Sequence, residues 1–205
     1  MAALGPMRIL TDFADEAVIL PLIAMVALML GVLGWRRGAL AWVVAVGCSF
    51  ASVLVLKVVL TTCGPVFDMA PLRSPSGHTA AAAVIAGGIA VALGRGRWSV
   101  AVVAGLAALL IGATRVALGL HSIPEVVVGG ALGVLGALGF GWLGGRPPVL
   151  QLRWLFAVIV AVALLLHGQH LNAETRIRTA AYALMICPVS MPPATLAGAS
   201  ATRLP

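Results

Sequence analysis

Polar chemistry in this chain is concentrated in two short stretches. The first is "LRSPSGHTAAAAVIAGG", residues 72–88, where Arg73, Ser76, Gly77 and His78 stand at the mouth of an unbroken apolar run. The second is "TRVALGLHSIPE", residues 114–125, which carries Arg115, His121 and Glu125. Lys57, the single lysine, lies near the end of an earlier apolar run, and with Arg73 and Arg115 it supplies up to three positive charges. Ser76-Gly77-His78 offers backbone N–H groups at a predicted helix N-terminus, where the dipole favours an anion. Gly77 permits close approach to the backbone. Of the two histidines, one can attack or take a proton while the other serves the leaving group. These residue types suit recognition and transfer of an anionic group. No carboxylate-rich or Cys/His ligand set accompanies them, so the chemistry calls for no metal.

The elements that must position these residues are overwhelmingly apolar. The 205-residue chain is 61% hydrophobic and 9% charged, with a mean hydropathy of +1.11. A soluble domain carries about one-quarter charged residues, and a chain this small cannot hide so much apolar surface in its own core. A bilayer is therefore its expected solvent. The formal charge of +7 comes from arginines scattered between apolar runs, without a basic stripe or interleaved aromatics, which argues against nucleic acid as a partner. Asp12, Asp15 and Glu16 precede the first run, unlike the basic start of a signal peptide, so that run is expected to be kept. Cys48, Cys63 and Cys187 are too few and too far apart for a disulfide framework or a zinc site.

The expected fold is all-α, a polytopic membrane helix bundle of about six transmembrane helices. The apolar runs are Ala17–Trp35, Ala39–Leu60, Thr79–Leu93, Trp98–Leu120, Pro124–Leu143 and Trp154–His167, the third and sixth being short. Residues 1–16 form an N-terminal segment and 17–167 the membrane domain. The tail, 168–205, reads as interfacial or disordered, because Pro188, Pro192 and Pro193 make a seventh span unfavourable. Gly87-Gly88, Gly129-Gly130 and Gly133, Gly136, Gly139 and Gly141 suit close helix contacts in lipid. The tryptophans sit mostly at run ends, as belt residues do. Arg36-Arg37, Arg95 with Arg97, and Arg146 with Arg153 mark alternate connectors as cytoplasmic. Lys57, the 73–78 stretch, Arg115, His121 and Glu125 then all return to the opposite, outer surface.

The pattern Lys57…Pro65…Pro75-Ser76-Gly77-His78…Thr114-Arg115-x5-His121-x3-Glu125 resembles the three-part signature of the PAP2 (type 2 phosphatidic acid phosphatase) superfamily. That signature reads K-x6-R-P, then P-S-G-H, then S-R-x5-H-x3-D. The resemblance covers roughly residues 50 to 135, and the six-helix layout suits the family's membrane members. It implies that His121 attacks phosphorus and forms a phosphohistidine, with Glu125 orienting its ring. His78 would protonate the leaving oxygen and then activate water. Lys57, Arg115, the Ser76 hydroxyl and the Gly77 N–H would hold the phosphoryl oxygens, without metal or organic cofactor. Three positions depart from the signature: its first arginine is Gly64 here, its serine is Thr114 and its aspartate is Glu125. Arg73, on the loop beside the site, is the expected substitute for the missing arginine; the alternative is that it only meets lipid headgroups.

Other roles compete at several positions. Ser76 is also a natural N-cap. "SIPE", residues 122–125, reads as a capping box with Pro124 near the first helical position, which alone justifies Glu125. Lys57 and Arg115 could be snorkelling anchors. His167 and His170 read as interfacial residues, and Cys63 and Cys187 as a pair if both face an oxidising compartment. The expected function is hydrolysis of a lipid phosphate or polyprenyl diphosphate at the outer face of a bacterial-type inner membrane. A family-shaped binding protein and an anionic-solute transporter are the alternatives.

Overall fold

The computed structural model describes residues 5, 16–63, 72–149, 152–169 and 173–184. Every regular element among them is an α-helix: α1 (Glu16–Val32), α2 (Arg36–Cys63), α3 (Gly77–Ala92), α4 (Arg97–Ala117), α5 (Ile123–Gly144), α6 (Leu152–Leu166) and α7 (Ala173–Leu184). The first six follow the apolar runs closely, because an apolar segment withdrawn from water must satisfy its backbone N–H and C=O groups internally, and a helix does so within the segment. Three of them, α2, α4 and α5, are long and apolar enough to cross a membrane. The apolar helices α1, α3 and α6 have 17, 16 and 15 residues. At 1.5 Å per residue they reach roughly 23–26 Å, short of a hydrocarbon core of about 30 Å.

Within the tail, read as interfacial or disordered, residues 173–184 form a helix that packs against α2, with Ala181 fully buried. The reading of the tryptophans as belt residues fails at two positions. Trp98, Trp142 and Trp154 are exposed, but Trp35 and Trp42 are buried. Trp42 meets Phe140 edge-on at 5.4 Å between ring centroids, Trp35 lies 5.5 Å from the same ring, and the Trp42 indole N–H donates to the Ile23 carbonyl at 3.0 Å. Indole needs a partner for its N–H when buried, and here α1 provides it.

The centre of the molecule is the group α2 to α5, with α3 packed against α4 and α5, and α5 against α2; α1 lies on α2 and α6. Glycines on α5 make this closeness possible. A Cβ at Gly129 would collide with the Ser76 carbonyl oxygen, one at Gly133 with that of Ala80, and one at Gly136 with Ser49 Oγ. Small residues at these positions thus let the helix backbones meet. Gly139 differs, since a Cβ there would meet nothing within 4 Å. Gly133→Ala is accordingly expected to destabilise the detergent-solubilised protein by about 1–3 kcal/mol, read as a lowered thermal midpoint. Gly139→Ala should leave that midpoint unchanged. The consequence for the site is direct, because the Gly129 contact brings the start of α5 against the turn that opens α3.

Candidate active site

Arg115 occupies the last turn of α4. The helix closes with Gly119 at φ +68°, its N–H donating to Val116 O at 2.9 Å, while Leu120 N–H donates to Arg115 O at 3.0 Å. This is the paired bonding of a Schellman ending, for which glycine in the left-handed region is the favoured residue. His121 N–H also reaches Arg115 O, at 3.4 Å. The five-residue spacing between Arg115 and His121 is therefore one helix ending, and it folds the imidazole back towards the guanidinium that precedes it.

Ser122 then caps α5, with Pro124 in the first turn and Glu125 three residues after the cap. Glu125 Oε2 accepts the Ser122 N–H at 3.0 Å and lies 3.0 Å from His121 Nδ1. Its other oxygen, Oε1, accepts the N–H groups of Arg73 at 3.0 Å and Ser74 at 2.8 Å. One carboxylate thus gathers four donors when His121 carries its proton on Nδ1, which fills its acceptor capacity. Orientation of the histidine and capping of the helix, weighed as rivals from the sequence, coexist here. A third role joins them, since Glu125 ties the 72–76 loop to the 121–125 turn. The Ser76 N–H donates to the Glu125 carbonyl at 3.0 Å and strengthens the same tie.

With Nδ1 turned to Glu125, Nε2 of His121 is the nitrogen left for chemistry. The imidazole is only 5% exposed, and burial lowers its pKa below the usual histidine value of 6.5. The hydrogen bond to Glu125 opposes this, and the positive charges of Arg115 and Lys57 reinforce it. Those two cations, from α4 and α2, therefore act on one histidine. Lys57 is 4% exposed, so it does not snorkel into water as an anchor would. Arg115 is half-buried and engaged by neighbours; its Nε atom is buried and makes no hydrogen bond within the described chain.

Ser76 is fully buried at the N-cap of α3, where its Oγ accepts from Thr79 Oγ1 at 2.9 Å and Thr79 N–H at 3.4 Å. The capping role is what its geometry displays. At Gly77 a Cβ would meet nothing within 4 Å, so open space adjoins the first residue of α3. His78 sits half-buried in the same first turn. Arg73 is exposed, and its backbone rather than its guanidinium makes the bond to Glu125. Among the described residues, no three His, Cys, Asp or Glu side chains come together in a metal-ligand group. Cys63, at the end of α2, is disulfide-bonded and Cys48 is free; Cys187 and His170 lie outside the described residues.

A family model, the PAP2 superfamily, matches residues 38–146, more than half of the chain. The chain belongs to the PAP2 superfamily. The match runs from the start of α2 to just beyond α5 and so contains every residue of the cluster. Comparison with curated proteins and with solved structures gave no match. Against the PAP2 signature, Thr114 keeps a hydroxyl but turns it to the carbonyl of Ile111 at 2.7 Å, within its own helix. Gly64, where the signature has arginine, lies outside the described residues. The part sequence patterns do not reveal is the loop brace, because Glu125 and the amides it holds are 51 and 52 residues apart. Thr79 is likewise visible only once Ser76 is seen to be buried against it.

Proposed function

We propose that this protein is an integral-membrane phosphatase that hydrolyses a lipid phosphate or polyprenyl diphosphate through a phosphohistidine on His121. The observation that carries the reading is the His121 Nδ1–Glu125 Oε2 contact at 3.0 Å, which leaves Nε2 as the nucleophilic nitrogen. Membership of the PAP2 superfamily supports phosphatase-type chemistry. In the first step Nε2 of His121 forms a bond to phosphorus as the bond to the lipid oxygen breaks, and protonated His78 gives its proton to that oxygen. In the second, water attacks phosphorus, His78 takes the released proton, and the N–P bond breaks to free phosphate. Lys57, Arg115, Arg73, the Ser76 hydroxyl and the Gly77 N–H neutralise the equatorial oxygens, the main task in phosphoryl transfer. No metal or organic cofactor enters this scheme.

All six apolar helices span the membrane in this reading, with the short ones borrowing flanking residues. The site faces the outer side of a bacterial-type inner membrane, where a headgroup reaches it while the tail stays in the bilayer. The arginine-bearing connectors support this orientation. So does the disulfide at Cys63, at the site end of α2, because disulfides persist in oxidising compartments. The test is phosphate release by the purified full chain from undecaprenyl diphosphate, phosphatidylglycerol phosphate, phosphatidate and lipid A phosphate, with and without EDTA. Release from at least one, undiminished by EDTA, is expected. Binding without release would make the chain a family-shaped binding protein.

A phosphoryl group in transfer spreads charge over three oxygens, and the signature answers with one lysine and two arginines. With Gly64 in place of one arginine, we assign its role to Arg73, whose backbone is held at the rim of the site by Glu125. Arg73→Ala is expected to lower kcat/KM by roughly two orders of magnitude. Arg73→Lys should rescue poorly, since an ammonium lacks the bidentate fork. Gly64→Arg placed in the Arg73→Ala protein should restore part of the loss. A near-silent Arg73→Ala in steady-state assays would return Arg73 to a headgroup contact.

The pH profile follows from the buried imidazole. Protonation at Nε2 removes the attacking lone pair, so activity falls as pH drops through the His121 pKa. That pKa is lowered, so the acid limb of kcat/KM should lie below pH 6.5, measured with a substrate whose own ionisation is separated out. An acid limb above 6.5 would contradict it.

A further inference from the structure

At the end of the bundle opposite His121, α3, α4 and α5 part. They are in contact where Gly87 meets Ala137 and Ala104. Beyond that contact lies a cleft of about 620 Å3, with Val100 and Leu138 among the apolar residues of its wall and Arg95, Arg97, Arg146 and Trp142 among those at its mouth. A Schellman ending like the one after α4 sets Arg95 there, with Gly94 at φ +70° and Arg95 N–H donating to Ala90 O at 3.0 Å. All three arginines are exposed, and among the described residues none forms an ion pair. The connectors at this end, 33–38, 93–98 and 144–153, carry six arginines and no carboxylate. Trp98 and Trp142 are 76% and 81% exposed at the same level, the placement of indoles at a membrane interface. The α4 N-terminus opens here too, and its cap, Gly96, has no side chain to accept the first amides.

We infer that this cleft binds an anionic phospholipid of the leaflet on the arginine side, at a site separate from the His121 cluster. Its phosphate would sit among Arg95, Arg97 and Arg146, and an acyl chain would lie along Val100 and Leu138. Charge complementarity selects the occupant. An apolar slot alone takes any lipid tail, but three arginines without carboxylate partners discriminate for a headgroup that keeps its net negative charge. Proximity to an anionic leaflet also strengthens the contact. The inference needs the membrane reading but not the phosphatase one, and its test reads binding rather than turnover.

The test is mass spectrometry of the intact, detergent-purified full chain with dioleoylphosphatidylglycerol or dioleoylphosphatidylcholine. The anionic lipid is expected to stay bound under activation that strips the zwitterionic one. An Arg95→Gln/Arg146→Gln variant should lower retention of the anionic lipid at least about tenfold. Arg36→Gln/Arg153→Gln, which removes the same charge from the same end outside the cleft, should leave it unchanged, as should Arg115→Gln. Equal retention of both lipids would overturn the site. So would equal losses in the two double variants, which would mean diffuse attraction, or a loss that follows Arg115, which would place the headgroup at the His121 cluster.

Discussion

His121→Ala is expected to reduce phosphate release by roughly three orders of magnitude or more, and His78→Ala by a similar factor, in protein that still inserts and keeps its thermal midpoint. The two losses differ in kind. Without His121 there is no nitrogen to take the phosphoryl group, and the residue at 78 has nothing to assist. Without His78 the nucleophile remains, but the leaving oxygen departs unprotonated and water is not activated. The His78→Ala defect should therefore shrink on substrates with a more acidic leaving group, such as a diphosphate compared with a phosphomonoester. The His121→Ala defect should be the same for both. A His121→Ala protein with near-normal turnover on the preferred lipid would end the mechanism.

Glu125→Gln should lower kcat/KM by roughly two to three orders of magnitude, although it changes one atom in shape. The carboxylate accepts from Arg73, Ser74 and Ser122 and faces His121. An amide keeps one acceptor oxygen and turns the other end into a donor, so at least one group in this set faces a donor instead of an acceptor. Each buried N–H left without a partner costs about 1–3 kcal/mol. If the amide NH2 faces the imidazole, it donates to Nδ1 and selects the opposite tautomer, which puts the proton on Nε2, the nitrogen that must attack. A second readout separates this from general damage. The Glu125 hydrogen bond raises the His121 pKa against burial, so its loss should move the acid limb of kcat/KM to still lower pH. Glu125→Asp, which restores the family's residue, should also lose activity. Its carboxylate is one methylene shorter and cannot reach both the 121–125 turn and the amides at 73 and 74. A fully active Glu125→Asp protein would mean that the brace across the loop is dispensable.

Helix positions were legible because hydropathy alone sets them: Trp98–Leu120 became Arg97–Ala117, and Pro124–Leu143 became Ile123–Gly144. Their neighbours were less so. Trp35 and Trp42 looked like belt residues because a run-end position does not say which way an indole points, and both turn inward to Phe140. The helix 173–184 was hidden by its polar start and the prolines downstream; it is held by packing on α2 rather than by its own hydropathy. At the site, short-range features were readable in part. Ser122 with Glu125 caps α5 as its spacing indicates, whereas the ending of α4 at Gly119 was passed over, the apolar run having been carried on to Leu120. What spans distant segments was not: the amides of residues 73 and 74 come to Glu125 only because Gly129 lets α5 press against Ser76.

The central claim is a covalent phosphoryl group on His121. It is tested most directly by quenching the wild-type protein at alkaline pH within its first turnover of a diphosphate or monophosphate lipid, then locating the phosphate by peptide mass spectrometry. The expected result is an acid-labile phosphoryl group on the peptide containing His121, at Nε2 and not at Nδ1, absent from the His121→Ala protein. Phosphate released at full rate with no phosphoryl group on any histidine, or with the group on His78, would contradict the account.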